Sequence, residues 1–142
     1  MASEPSHAYG LATNLFVSRK ASSDSIIVGG VAEDASRFAR VLSQRAAQML
    51  WFYLTRHLFP DKSDMVTALV STAPLRGTNL PTITTHVVVD KLEDGGFEVL
   101  GWAGEQSWGW QMNEYEAHRF WTSLDIALYP VGWQGKGRNS DD

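Results

Sequence analysis

The residues of this chain best suited to chemistry are four histidines and sixteen acidic side chains, with no cysteine to serve as nucleophile or thiolate ligand. Glu114 and His118 are four apart and Asp125 lies seven beyond His118, a spacing that sets all three along one edge of a helix. A metal ion there needs further ligands in matching geometry, and His86 or Asp90 on a strand would have to supply them. The order Glu-Tyr-Glu-Ala-His is not His-Glu-x-x-His, so the expected role is a surface charge pair.

Acid–base and nucleophilic constellations fare no better. No Gly-x-Ser-x-Gly elbow occurs. His7 lies in a small, polar N-terminal stretch, and His57 falls near a helix C-terminus, where positive charge is favoured in any case. His86 lies within a strand, without a paired acid. Glu93-Asp94 and Asp141-Asp142 fall in a turn and a tail, where solvated carboxylates keep ordinary acidity. Gly29-Gly30 precedes a predicted helix, but Glu33 and Asp34 follow and repel phosphate. The reading assigns no catalytic residue, no metal and no cofactor.

Aromatic residues carry the stronger signal. Trp102, Trp108 and Trp110 sit in neighbouring strand segments with Gly101, Gly104 and Gly109 between them. Large rings beside bare backbone suit a flat ligand or a partner side chain. Arg76, in the stiff loop 72–81, and His86 are the polar anchors such a surface would use. Trp108 and Trp110 are two apart and share one face of a strand. The favoured reading places that pair in the core; a ligand surface coexists with it if one face holds Trp102 and the other holds Trp108 and Trp110.

The elements that position these residues follow from punctuation and period. Leu11–Val17 and Ser25–Val28 flank a polar turn and predict a hairpin. A long helix is predicted over 34–59, capped by Asp34 or Ser36 and stopped by Pro60. Arg37, Arg40, Arg45 and Arg56 give that helix a basic character. Its segment Leu50-Trp-Phe-Tyr-Leu54 is apolar all round and must be covered on every side. Residues 65–72 alternate like a strand, and Thr82–Asp90 is the strongest strand, with Ile83, Thr85, Val87 and Val89 on one face. Turns at 93–96 and 104–106 deliver two further antiparallel strands, 97–103 and 107–112. A second helix over 114–128 is capped by Asn113 and stopped by Pro130.

The expected fold is an α+β two-layer sandwich of order ββαββββα. One antiparallel sheet of about five strands carries a long and a shorter helix. A single domain over 10–134 lies between loose tails at 1–9 and 135–142, and no internal repeat is evident. The order is similar to that of roadblock, longin and profilin-like domains, a resemblance that implies an adaptor or scaffold role.

Net charge of −4 disfavours non-specific nucleic-acid binding, which depends on Lys and Arg neutralising phosphates. No apolar run approaches the ~20 residues that cross a bilayer, so no membrane insertion is expected. Met1-Ala-Ser-Glu-Pro-Ser6 lacks a basic and apolar secretory leader, which makes the cytoplasm the expected compartment. The expected function is a non-enzymatic protein–protein interaction module. It is homodimeric, and Trp51, Phe52, Leu54 and Trp133 form the candidate interface. The alternative is a small-ligand-binding domain using Arg76, His86, Trp102, Trp108 and Trp110.

Overall fold

The computed structural model describes residues 6–19, 25–60 and 83–129. Its elements are β1 (His7–Leu11), β2 (Thr13–Arg19), β3 (Ile26–Val31), β4 (Arg37–Leu42), α1 (Gln44–Leu58), β5 (Ile83–Thr84), β6 (His86–Lys91), β7 (Phe97–Ala103), β8 (Gln106–Met112) and α2 (Glu114–Leu128). The α+β class and the succession of strands, helix, strands and helix are as expected. The strands form two four-stranded sheets, β1-β8-β7-β6 and β2-β3-β4-β5, instead of one sheet of about five.

The reason is that two strands change sheet midway. Only Ala12 separates β1 from β2, and only Thr85 separates β5 from β6. Each pair therefore begins in one sheet and ends in the other, and the strands close into a ring. The crossing at Thr85 also resets the alternation: Thr84 is buried on one side of it, Val87 and Val89 on the other, while Ile83 faces outward half-buried. The continuous face expected from Ile83 to Val89 is thereby split.

The predicted helix over 34–59 begins ten residues later, at Gln44. Phe38 and Leu42 are four apart, a spacing that fits a strand's period of two as well as a helical turn. A tight turn at Ala32–Ser36 lets 37–42 return along β3, and Ser43 then caps α1 by accepting the Ala46 N–H at 3.1 Å. Arg37 and Arg40 are thus strand residues. Residues 7–9, expected in a loose tail, lie in β1, parallel to β8. The second helix matches its expected bounds, with the Asn113 side chain accepting the Glu116 N–H at 2.8 Å. The strand expected over 65–72 lies outside the described residues.

An internal duplication, not evident in the sequence reading, organises all of this. The unit β1-β2-β3-β4-α1 recurs as β5-β6-β7-β8-α2, and the pairings exchange accordingly. β1 pairs in parallel with β8 and β5 with β4; α1 packs on β6 and α2 on β2. The β3–β4 ladder opens on Ile26–Leu42, the β7–β8 ladder on Phe97–Met112. Both helices have 15 residues and both N-cap side chains accept the N–H three residues on. Set side by side, 43–60 and 113–130 share Ala47/Ala117, Trp51/Trp121, Leu54/Leu124, Leu58/Leu128 and Pro60/Pro130.

The two units lock through reciprocal tryptophans. The Trp51 indole N–H donates to Asp125 Oδ1 at 3.0 Å, and the Trp121 indole N–H donates to Thr55 Oγ1 at 2.7 Å. Between the sheets, Trp108 and Trp110 stack at 5.4 Å and 8°, with Phe38 and Phe120 each 5.6 Å from the Trp110 ring. A side chain at Gly101 would penetrate the Trp108 ring, so a glycine is required beneath it.

Candidate functional site

The structure distributes the sequence-predicted residues between core and surface. Trp108 and Trp110 are fully buried, and the Trp108 N–H donates to the buried Thr84 hydroxyl at 2.8 Å. Trp102 is 37% exposed on the opposite face, where His86 lies against it with ring centroids 5.3 Å apart. The tryptophan surface therefore reduces to that one pair. Arg76 and Trp133 lie outside the described residues.

Trp51 and Leu54 have no exposed surface, because α2 and β6 of the same chain cover the all-round apolar segment of α1. The cover that the sequence reading sought in a second copy is internal. Phe52 is half-buried under the Arg56 guanidinium, 5.5 Å from its ring. Nor do Glu114, His118 and Asp125 share an edge: the first two form an exposed pair at 3.8 Å, while Asp125 is 3% exposed beneath Trp51. Among the described residues no group of three or more His, Asp or Glu is placed to hold a metal.

Asp34 and Tyr129 are displaced from ordinary values. The Ser36 hydroxyl and N–H, both bonded to Asp34, hold that carboxylate below its usual range. Burial first, then the nearby Asp125 charge, push the Tyr129 hydroxyl up to about 12.

What remains is the outer faces of the two sheets. Three of the four sheet edges, β1, β2 and β6, carry contacts from other parts of the chain. Glu33 N–H donates to Tyr9 O at 2.9 Å and Leu11 N–H to Glu33 Oε1 at 2.9 Å, closing β1. Arg19 donates to Ala127 O at 2.8 Å beside β2, and His57 Nε2 lies 3.1 Å from Val89 O beside β6. A carbonyl only accepts, so His57 carries its proton on that nitrogen. Edges occupied in this way are poor templates for an added strand.

The faces differ in chemistry. Across the β2-β3-β4-β5 face run two cross-strand rows, Ser18–Ile27–Val41–Ile83 and Phe16–Gly29–Ala39, with Val31 and Arg37 at one end. Ladder for ladder, the β1-β8-β7-β6 face places Asp90, Glu98 and Gln111 where the first has Ser18, Ile27 and Val41. At this register one sheet carries a polar row, ending on Leu11, and the other an apolar row, ending on Ile83; the next row of the second face, Val88–Leu100–Gly109, is apolar. Phe16 is 42% exposed, its ring lying over Gly29, where a Cβ would come within 2.9 Å of it. The face escaped the sequence reading because 37–42 was assigned to a helix; the repeat of Ala, Trp, Leu, Leu and Pro between 47–60 and 117–130 was the signal available to find it.

Comparison of the chain with protein-family models, curated proteins and solved structures finds no match. Among the described residues no helix is long and apolar enough to cross a membrane.

Proposed function

We propose that this chain is a non-enzymatic protein-interaction module that docks through the outer face of β2-β3-β4-β5, and that its partner is a second copy of itself. The observation that carries this reading is the contrast between the duplicated faces. The second unit folds with Glu98 and Gln111 turned outward, so the fold itself does not demand Ile27 and Val41 at the equivalent positions. The contrast lies at this one row: the second face keeps its own apolar row at Val88–Leu100–Gly109, but only the first has an apolar pair at the Ile27–Val41 register, as a contact surface would. A face-to-face contact whose two-fold axis runs along these cross-strand rows also avoids opposing like charges. Arg37 stands at one end of the face, so the arginines of two copies fall at opposite ends. The capped sheet edges favour docking by face over pairing by edge.

The test copies the second unit onto the first. Ile27→Glu with Val41→Gln should convert a dimer into a monomer in light scattering, with far-UV circular dichroism unchanged. A dimer that survives both substitutions would overturn the reading. So would a wild-type chain that stays monomeric at about 100 μM, well above the Kd of a specific self-association.

A further inference from the structure

At the Arg37 end of the same face lies an open pocket of about 570 Å³ lined by Asn14, Phe16, Gly30, Val31, Arg37, Phe38 and Ala39. We propose that this pocket binds a small amphipathic carboxylate, an acyl or aryl body carrying one acid group. The pocket shares Phe16 and Ala39 with the docking face but takes no residue of the Ile27–Val41 row, so it can be tested with that row substituted.

The duplication again supplies an internal control. Ladder alignment sets Val31 against Trp102 and Arg37 against Ser107, and Thr13, the partner of Val31, takes the place of His86, the partner of Trp102. In the second unit the His86 and Trp102 rings occupy this part of the face, 5.3 Å apart. In the first unit Thr13 and Val31 stand in place of those two rings and the space is open. The strand beside it is also distorted on one side only. Asn14 adopts φ 51°, and the β2–β3 register shifts between Thr13 and Phe16, whereas β6 runs in regular register with β7 from His86 to Lys91. Bulges of this kind re-aim side chains beside binding sites.

The lining sets the ligand class. Phe16, Val31 and Ala39 offer an apolar wall, and the volume falls within the range of small-molecule sites. Arg37 is exposed and makes no ion pair among the described residues. The acids next to it in sequence are otherwise engaged: Glu33 accepts the Leu11 N–H, and Asp34 accepts both the N–H and the hydroxyl of Ser36. A free guanidinium at the rim of an apolar pocket matches a carboxylate joined to an apolar body, in fork-like geometry.

Three probes separate the contributions: decanoate, decanol and decyltrimethylammonium, each titrated into the full chain below its micelle concentration and followed by backbone amide shifts. Decanoate should saturate, with the largest shifts at Val31, Arg37 and Ala39, and should bind more tightly than decanol, with the cation weakest. Arg37→Gln, an exposed change, should weaken decanoate about tenfold or more, as expected for losing a charge-assisted hydrogen bond, and leave decanol unchanged. Phe16→Ala should weaken both. Repeating the titration on Ile27→Glu/Val41→Gln separates the two readings, since decanoate binding should persist whether or not the chain still self-associates. Equal affinity for decanoate and decanol, an unchanged response in Arg37→Gln, or absence of saturable shifts at these residues would overturn the proposal.

Discussion

Replacing Thr55 by valine tests the reciprocal brace between the units. Thr55 is fully buried; its hydroxyl donates to Trp51 O at 2.6 Å and accepts the Trp121 indole N–H at 2.7 Å. Valine preserves shape and volume, so no cavity contribution enters. Trp51 O can still serve the helix ladder, so the loss falls on the Trp121 N–H, which faces a methyl group after the change. A neutral hydrogen bond contributes about 1 kcal/mol and a stranded buried donor costs about 1–3. Trp121 is half-buried, which puts the expected destabilisation at the low end, about 1–2 kcal/mol. With an m value of roughly 2 kcal/mol/M, the urea midpoint should fall by about 0.5–1 M. A double-mutant cycle with Trp121→Phe isolates the pair and should return a coupling of about 1 kcal/mol; a coupling within about 0.3 kcal/mol of zero would refute the argument.

Gly101→Ala drives a methyl into the Trp108 ring and should cost about 1–3 kcal/mol, read as a lower melting temperature with an altered near-ultraviolet tryptophan signal. Asn113→Ala removes the α2 cap bond to Glu116 N–H and should cost about 1 kcal/mol in urea unfolding. Tyr129, raised to about 12 when folded from an ordinary value of 10.0, contributes stability that is fully present below pH 10 and lost as pH climbs from there toward 12, because the unfolded chain releases that proton first. Tyr129→Phe should flatten this alkaline loss, and an unchanged pH profile in unfolding experiments would count against the burial of that hydroxyl.

Where local signals act alone, the sequence was legible. The Asn113 cap and the apolar side of 114–128 placed α2 at its observed bounds, and the glycines at 95 and 104 marked turns in which both take positive φ. The burial of Trp108 and Trp110 on one shared face followed from a strand's period of two, whereas the face of Trp102 was set only by the pairing of β7. Long-range pairing was not legible. Phe38 and Leu42 fit either period, and only the ladder with β3 decides that 37–42 is a strand. That error hid Arg37 and Val41 on a helix and concealed the face they form. The crossings at Ala12 and Thr85 likewise belong to tertiary closure, since nothing in Thr82–Asp90 breaks its alternation. Trp51 and Leu54 pointed rightly to a covered surface, but the cover is α2 of the same chain.

Native mass spectrometry of the wild-type chain across a concentration series, beside Ile27→Glu/Val41→Gln, tests the docking face most directly. Docking through this face should give a wild-type dimer that dissociates on dilution and a substituted chain that is monomeric throughout. A wild-type chain monomeric at every concentration, or a dimer indifferent to both substitutions, would contradict it.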